Sequence, residues 1–93
     1  MQEPYVNNHI FSMNDIEIRI NVMGKILEGK HKGWFIYVEN DSENTGGYLI
    51  LVFNNINKLN STEGYDGWAE DKVTLHDMFK AANWKIQWLV ESI

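Results

Sequence analysis

The chain has 93 residues and a mass of 10.9 kDa, with 44% hydrophobic and 23% charged residues, which predicts a single domain over 1–93. Because it contains no cysteine, we exclude a disulfide framework, a thiolate-bound metal and a cysteine nucleophile. Eight basic residues against 13 acidic residues give a net charge of −5, which disfavours direct binding to nucleic acid and favours a basic partner.

Three strands are predicted in the first half of the chain. Apolar and polar residues alternate over about 15–27, which indicates a strand with one solvent-exposed face. The stretch 29–33, with two glycines, is typical of a hairpin loop, and the apolar run 34–38 predicts a second, antiparallel strand. A polar, glycine-containing break at 40–47 precedes a third strand at 48–53. These three strands are therefore expected to form an antiparallel meander.

A short helix is predicted next. Thr74 is the expected N-cap, and Asp77 is positioned to complete a capping box. The apolar residues that follow recur at a spacing of three or four and form one stripe, which consists of Leu75, Met78, Phe79 and Ala82. The helix is expected to end near Asn83 and to cover one face of the sheet.

Alternation resumes at 84–88 and predicts a fourth strand, in which Lys85 and Gln87 point to water. The order β-β-β-α-β predicts an α+β fold with a four-stranded mixed sheet, in which the fourth strand runs parallel to the first and third. A helix of about nine residues spans only about 14 Å, so it covers one face of the sheet. The second face is expected to be covered by residues near 5–13, by the connection 54–73, or by a partner molecule.

Residue patterns for catalysis or metal binding are absent from the sequence. His9, His31 and His76 have no ligand spacing and are predicted to be surface residues, and no serine lies in a nucleophile-elbow motif. Residues 41–46 imitate the start of a calcium loop, but Val52 occupies the position that needs a bidentate glutamate. We therefore expect a protein that is not an enzyme and has no metal and no cofactor.

Acidic residues are concentrated in one part of the chain. Seven carboxylates lie between positions 39 and 71, namely Glu39, Asp41, Glu43, Glu63, Asp66, Glu70 and Asp71. Lys58 is the single basic residue there, so this segment has a net charge of −6. Tyr65 and Trp68 lie among four of the carboxylates, and an aromatic anchor ringed by charge is typical of an interface hot spot. These nine residues form the predicted partner-binding site.

Two simpler interpretations of this segment remain open. In the first, the carboxylates lie in two solvent-exposed loops and contribute only to solubility, which is as common for such charge clusters as partner binding. Trp68 is also a candidate to fill the second face of the sheet, since that face needs a cover.

The segments from Glu63 to Asp71 and from Thr74 to Trp88 resemble the C-terminal part of small bacterial immunity proteins, which are encoded beside polymorphic or contact-dependent toxins. A general similarity covers about 33–90. Its most specific part lies within 63–88 and consists of a D-x-W motif, a short helix and a W-x-I-x-W motif. The resemblance implies a cytoplasmic protein that binds one toxin domain and blocks its active site or an essential surface. Many such toxins are basic nucleases, which fits the excess of acidic residues.

The leading hypothesis is a non-enzymatic immunity protein whose loops 39–47 and 54–73 bind a basic toxin domain. A nucleic-acid mimic or nuclease-complex inhibitor of phage or plasmid origin is the alternative, although it requires a linear row of carboxylates. A small homodimeric accessory protein joined through the apolar second face also remains open, as does a small enzyme, which no residue spacing supports. No secretory signal and no membrane span are expected from the sequence, and cytoplasmic location is the default.

Overall fold

The computed structural model of the protein describes residues 10–13 and 16–89, and these residues form an α+β fold. The strands are β1 (Ile10–Met13), β2 (Ile16–Arg19), β3 (Met23–Glu28), β4 (Phe35–Asp41), β5 (Gly47–Phe53), β6 (Gly64–Ala69) and β7 (Lys85–Trp88). The helix α1 covers Lys72–Ala81, and a single 3-10 turn covers Lys58–Asn60. Strands β3 to β7 form a five-stranded antiparallel sheet in the order β6-β5-β4-β3-β7, while β1 and β2 form a separate antiparallel ribbon.

The prediction of one helix and an antiparallel meander is confirmed, but the predicted four-stranded mixed sheet is wrong in strand number and order. The predicted strand 15–27 is in fact two strands, β2 and β3, separated by a turn at Ile20 and Asn21. Asn21 has a φ of 64°, in the left-handed region that asparagine tolerates better than most residues. The alternation continues across this turn because Ile20 and Val22 are buried as well as Ile18.

Strand β6 lies inside the connection 54–73, in which no strand was predicted. It was missed because Gly64–Ala69 is an edge strand in which Ala69 alone is buried, so its sequence has no apolar alternation. The additional strand reverses the chain once more before the helix. For this reason β7 runs antiparallel to β3, not parallel to the first strands as predicted.

The hydrophobic core lies on one face of the sheet, which we call the inner face. Its central side chains are at most 2% exposed and alternate along β3, β4 and β5, namely Ile26, Ile36, Val38, Ile50 and Val52. Leu75 and Phe79 from α1 and Ile18 from β2 close this core from above. Phe79 also makes an edge-to-face contact with Trp84, with ring centroids 5.0 Å apart. Helix α1 and strand β2 therefore cover the same face.

Helix α1 begins earlier than predicted. Asp71 is the N-cap, and its carboxylate accepts a hydrogen bond of 2.8 Å from the backbone N–H of Thr74, so Thr74 lies inside the helix. The expected apolar stripe is confirmed, since Leu75 and Phe79 are buried. The helix ends at Ala81, and Asn83 turns the chain into β7 with a φ of 56°. Within the described ranges, this helix is too short and too polar to cross a lipid bilayer.

The loop between β3 and β4 is fastened to the end of α1. The backbone N–H of Lys30 donates to the carbonyl oxygen of Ala82 at 3.0 Å, and the indole N–H of Trp84 donates to the carbonyl oxygen of Lys30 at 2.7 Å. Gly29 has a φ of 100°, and a side chain at this position would overlap with the carbonyl oxygens of Ala82 and Asn83. Only glycine therefore allows this close approach.

We expect Gly29→Ala to lower the free energy of unfolding by about 3 kcal/mol, because it adds steric overlap to an unfavourable φ. Gly33→Ala is the matched control, since Gly33 has a φ of 93° in the same loop but open space around it. The control is expected to lose about 1 kcal/mol, from backbone strain alone. Urea unfolding followed by circular dichroism measures both. Equal losses in the two variants would contradict the proposed close approach.

Candidate partner-binding surface

The face of the sheet opposite to the core, which we call the outer face, carries a continuous apolar surface. Most side chains that alternate with the core residues point to this face and are partly or half exposed; they include Met23, Phe35, Tyr37, Leu49, Leu51 and Trp68. Phe53 lies on the same face but is only 3% exposed. The described elements that close the core, α1 and β2, lie on the inner face. The outer face is the second face, which was predicted from the sequence to need a cover. It keeps an apolar surface that is partly accessible.

Strand register places six of these outer residues in two adjacent rows. In one row Leu49 lies between Glu39 and Trp68, and in the next row Leu51 lies between Tyr37 and Asp66. We call these six residues the outer patch. Side chains directly opposite in an antiparallel pair have Cβ atoms about 5 Å apart, so the patch is continuous. Its two carboxylates lie at diagonally opposite corners, on either side of the apolar centre.

Trp68 is held in a fixed orientation within the outer patch. Its indole Nε1 donates a hydrogen bond of 2.9 Å to the hydroxyl of Thr45. The ring lies over Gly47, where an added Cβ would come within 2.9 Å of the indole. Trp68 nevertheless remains 46% exposed, so it covers the outer face only in part. A large aromatic side chain that is already oriented loses little entropy when a partner covers it.

The loop 42–46 and residues 70–71 lie side by side at one end of the sheet, around a shallow groove. We call this region, with Glu39 at its border, the acidic end. Glu43 and Glu70 are exposed there. The structure thus sets the loop that carries Glu43 beside Glu70 and Asp71 and next to Trp68, and Lys72 lines the same groove.

Asp41 and Asp71, two of the predicted site residues, stabilise local structure: Asp41 bonds the loop that follows it, and Asp71 caps α1. Asp41 is 8% exposed, and its carboxylate accepts a hydrogen bond of 3.1 Å from the side-chain amide of Asn44. Its carbonyl oxygen also accepts from the backbone N–H groups of Thr45 and Gly46, so Asp41 shapes the loop. Hydrogen bonds from Thr74 hold the pKa of the Asp71 carboxyl below its ordinary value.

Tyr65 and Glu63 lie away from the outer patch. Tyr65 is paired with Val52 and belongs to the inner side of β6, because residues three apart in a strand point to opposite faces. Its ring lies 4.7 Å from that of His31, and it is 44% exposed. Burial raises the pKa of the Tyr65 phenol. Although Tyr65 and Trp68 are close in the sequence, they therefore lie on opposite sides of β6 and do not form one anchor.

Sequence reasoning missed Tyr37, Leu49 and Leu51 as candidate contact residues. They were assigned to strands that are apolar on both faces, but nothing in the sequence separated the residues of the core from those of the outer patch. Burial raises the pKa of the Tyr37 phenol, and the neighbouring carboxylate of Glu39 raises it further. Strand pairing alone identifies which alternate residues share a surface.

The predicted surface location of His76 is wrong. It is 5% exposed on α1, and its Nε2 atom has no hydrogen-bond partner among the described residues. The buried face of the helix is wider than the predicted stripe, because it includes His76 beside Leu75 and Phe79. His31 is partly buried between the rings of Trp34 and Tyr65, and His9 lies outside the described residues. In the described part of the chain, no group of three or more His, Asp or Glu side chains could hold a metal ion.

Comparisons with known proteins give no family assignment. No protein-family model matches the chain, and neither a curated protein nor a solved structure matches it significantly.

We expect Asp71→Asn to destabilise the protein at neutral pH and to have a smaller effect in acid. The folded-state pKa of Asp71 is below the unfolded value near 3.8, so its charge stabilises the fold above that value. This contribution is lost as the pH falls below 3.8 and through the lower folded pKa. Urea unfolding at pH 7 and at about pH 2.5 measures the difference. An identical loss at both pH values would show that the charge has no role.

Proposed function

We propose that this protein is a non-enzymatic immunity protein of the cytoplasm, which binds a basic toxin domain, expected to be a nuclease, and neutralises it. The single observation that carries the proposal is the outer patch, in which partly exposed apolar residues and carboxylates share one face of the sheet. The acidic end adjoins this surface and extends its negative charge. The resemblance of 63–88 to small immunity proteins supports the same class of partner.

The composition of the outer patch fits protein recognition. Leu49, Leu51 and Trp68 offer apolar area that gains free energy when a partner removes it from water. Glu39 and Asp66 flank this area, and carboxylates at the border of an interface accelerate the approach of a basic partner. A protein contact uses both features, whereas binding a small substrate would require a deep enclosed pocket. The grooves on the described surface are shallow and open.

The nucleic-acid mimic has less support from this arrangement. A mimic needs carboxylates in a row, at the spacing of phosphates along a backbone. Glu39 and Asp66 are instead separated across β5 by apolar leucines, and Glu63 lies at the other end of β6. A protein surface with apolar contacts is therefore the better match to the outer patch.

The decisive experiment expresses the chain together with the product of the neighbouring gene, which is the expected toxin, and measures bacterial growth and the affinity of the purified pair. We expect the wild-type chain to restore growth. Trp68→Ala is expected to weaken binding about 30-fold or more, because an oriented aromatic anchor is lost from the interface. Leu59→Ala is the matched control, since it removes an exposed apolar side chain, 93% exposed, outside the outer patch.

Two results would contradict the proposal. One is that the chain neither binds nor neutralises the toxin. The other is that Trp68→Ala, shown by circular dichroism to be folded, binds as tightly as the wild type. A stable homodimer that buries the outer patch would favour the accessory-protein alternative.

Charge reversal tests the electrostatic part of the proposal. Asp66→Lys combined with Glu70→Lys is expected to slow association with the toxin about tenfold at low salt, because border charges mainly set the association rate. The difference is expected to shrink at high salt, where charges are screened. Asp77→Lys is the matched control: it has a 70% exposed side chain on α1, across the sheet from the outer patch. Stopped-flow measurements that find equal rates at every ionic strength would rule out steering by these carboxylates.

A further inference from the structure

Strand β6 forms one edge of the five-stranded sheet. Its inner neighbour is β5, and among the described residues no strand pairs with its other side. Edge strands present backbone N–H and C=O groups that another extended chain can bind. The opposite edge, β7, is shorter, with four residues, and its Trp88 donates a hydrogen bond to the carbonyl oxygen of Glu17 in β2. Strand β6 is therefore the longer of the two edges, and its free side is more accessible for pairing.

Carboxylates surround this edge. Residues 63–71 contain Glu63, Asp66, Glu70 and Asp71 and no basic residue. Proline and lysine, which often protect edge strands from pairing, are absent from β6. Negative charge is the feature that limits what this edge can pair with.

Pairing between two copies of β6 is disfavoured by this charge. Of the three antiparallel registers with the greatest overlap, one places Asp66 against Asp66 within the strand, and the other two bring Glu63 towards Glu70 or Asp71 just beyond the strand ends. Like charges directly opposite one another destabilise a strand pair, whereas opposite charges stabilise it. The occupant that fits the edge is therefore an extended segment with basic side chains, from a different chain.

Both faces of β6 offer contact area to such a segment. Trp68 on the outer face is 46% exposed and Tyr65 on the inner side is 44% exposed. An added strand would place its side chains beside both rings, because diagonal neighbours in a sheet lie within reach of large aromatic residues. Gly64 and Gly67 present no side chain that would hinder its approach.

We propose that β6 binds an extended basic segment of the partner protein as a sixth strand of the sheet. This inference rests on the proposed function in taking that partner to be the toxin domain. It gives one role to residues that lie on different faces: Tyr65 and Trp68 flank the added strand, while Glu63, Asp66 and Glu70 attract its basic side chains. The outer patch would then contact the part of the partner that follows the added strand.

A peptide of alternating lysine and valine tests the proposal with the full chain. Hydrogen exchange is measured by NMR with saturating peptide. We expect the amides of 64–69 that point away from β5 to exchange about tenfold more slowly or better, and those of 85–88 to be unchanged. One control peptide carries glutamate in place of lysine, and another keeps every lysine but replaces the central valines with proline. Neither control is expected to protect β6, because the first has the wrong charge and the second cannot pair as a strand.

A variant separates strand pairing from unspecific attraction. Asp66→Lys with Glu70→Lys is expected to lose about tenfold in affinity for the lysine peptide and to gain affinity for the glutamate peptide. Asp77→Lys, on the helix, is expected to bind like the wild type. The proposal would be overturned if the proline peptide protects β6 as well as the lysine peptide does, or if the lysine peptide protects no amide of 64–69. It would also be overturned if the chain forms a dimer that protects these amides without any peptide.

These outcomes are distinguishable from a failure of the immunity function. If the chain neutralises the toxin while the amides of β6 in the complex exchange as in the free chain, the edge inference fails and the toxin proposal stands. If the lysine peptide protects β6 but the chain does not neutralise the toxin, the edge binds basic segments and the immunity function fails.

Discussion

The pairing of β5 with β6 is the interaction on which the remaining structure depends. It adds a strand that reverses the chain before α1, so the helix returns across the inner face and delivers β7 to the far edge of the sheet, antiparallel to β3. The same pairing sets Trp68 beside Leu49 and Asp66 beside Leu51. A shift of this register by one residue would turn Trp68 toward the helix and Tyr65 toward the outer face. Topology and candidate binding surface thus have one physical origin.

The two faces of the sheet are used differently. On the inner face, α1 and β2 bury the central apolar side chains of β3, β4 and β5 almost completely, which supplies the apolar burial that a chain of 93 residues needs. On the outer face, equally apolar residues such as Leu49 and Leu51 remain partly exposed. Leaving such area in contact with water sacrifices stabilisation that a cover would provide. A partner that covers it recovers this free energy as affinity, which is the physical basis of the proposed function.

Much of the fold follows from the sequence, and the failures have identifiable causes. The strands at 34–38 and 48–53 were predictable because they are continuous apolar runs bounded by polar, glycine-containing loops. The apolar stripe of α1 was predictable because burial of one side imposes a helical period on its residues. Strand β6 was not, since an exposed edge strand needs no apolar alternation and is defined by its pairing with β5. The acidic residues of the site could be found from composition. Which of them share a surface could not, because Asp41 and Asp71 have structural tasks and the pleat of β6 separates Tyr65 from Trp68.

The hydrogen bond between the Trp68 indole and the Thr45 hydroxyl joins a strand to a loop across 23 positions of the chain. The loop 42–46 is exposed, and loops of this kind tolerate substitutions and insertions that leave the sheet intact. The orientation of the largest exposed aromatic ring on the outer face therefore depends on a segment that can vary without cost to the core. Related chains could acquire a new binding preference by changing this loop alone, while the strand that carries the tryptophan stays the same.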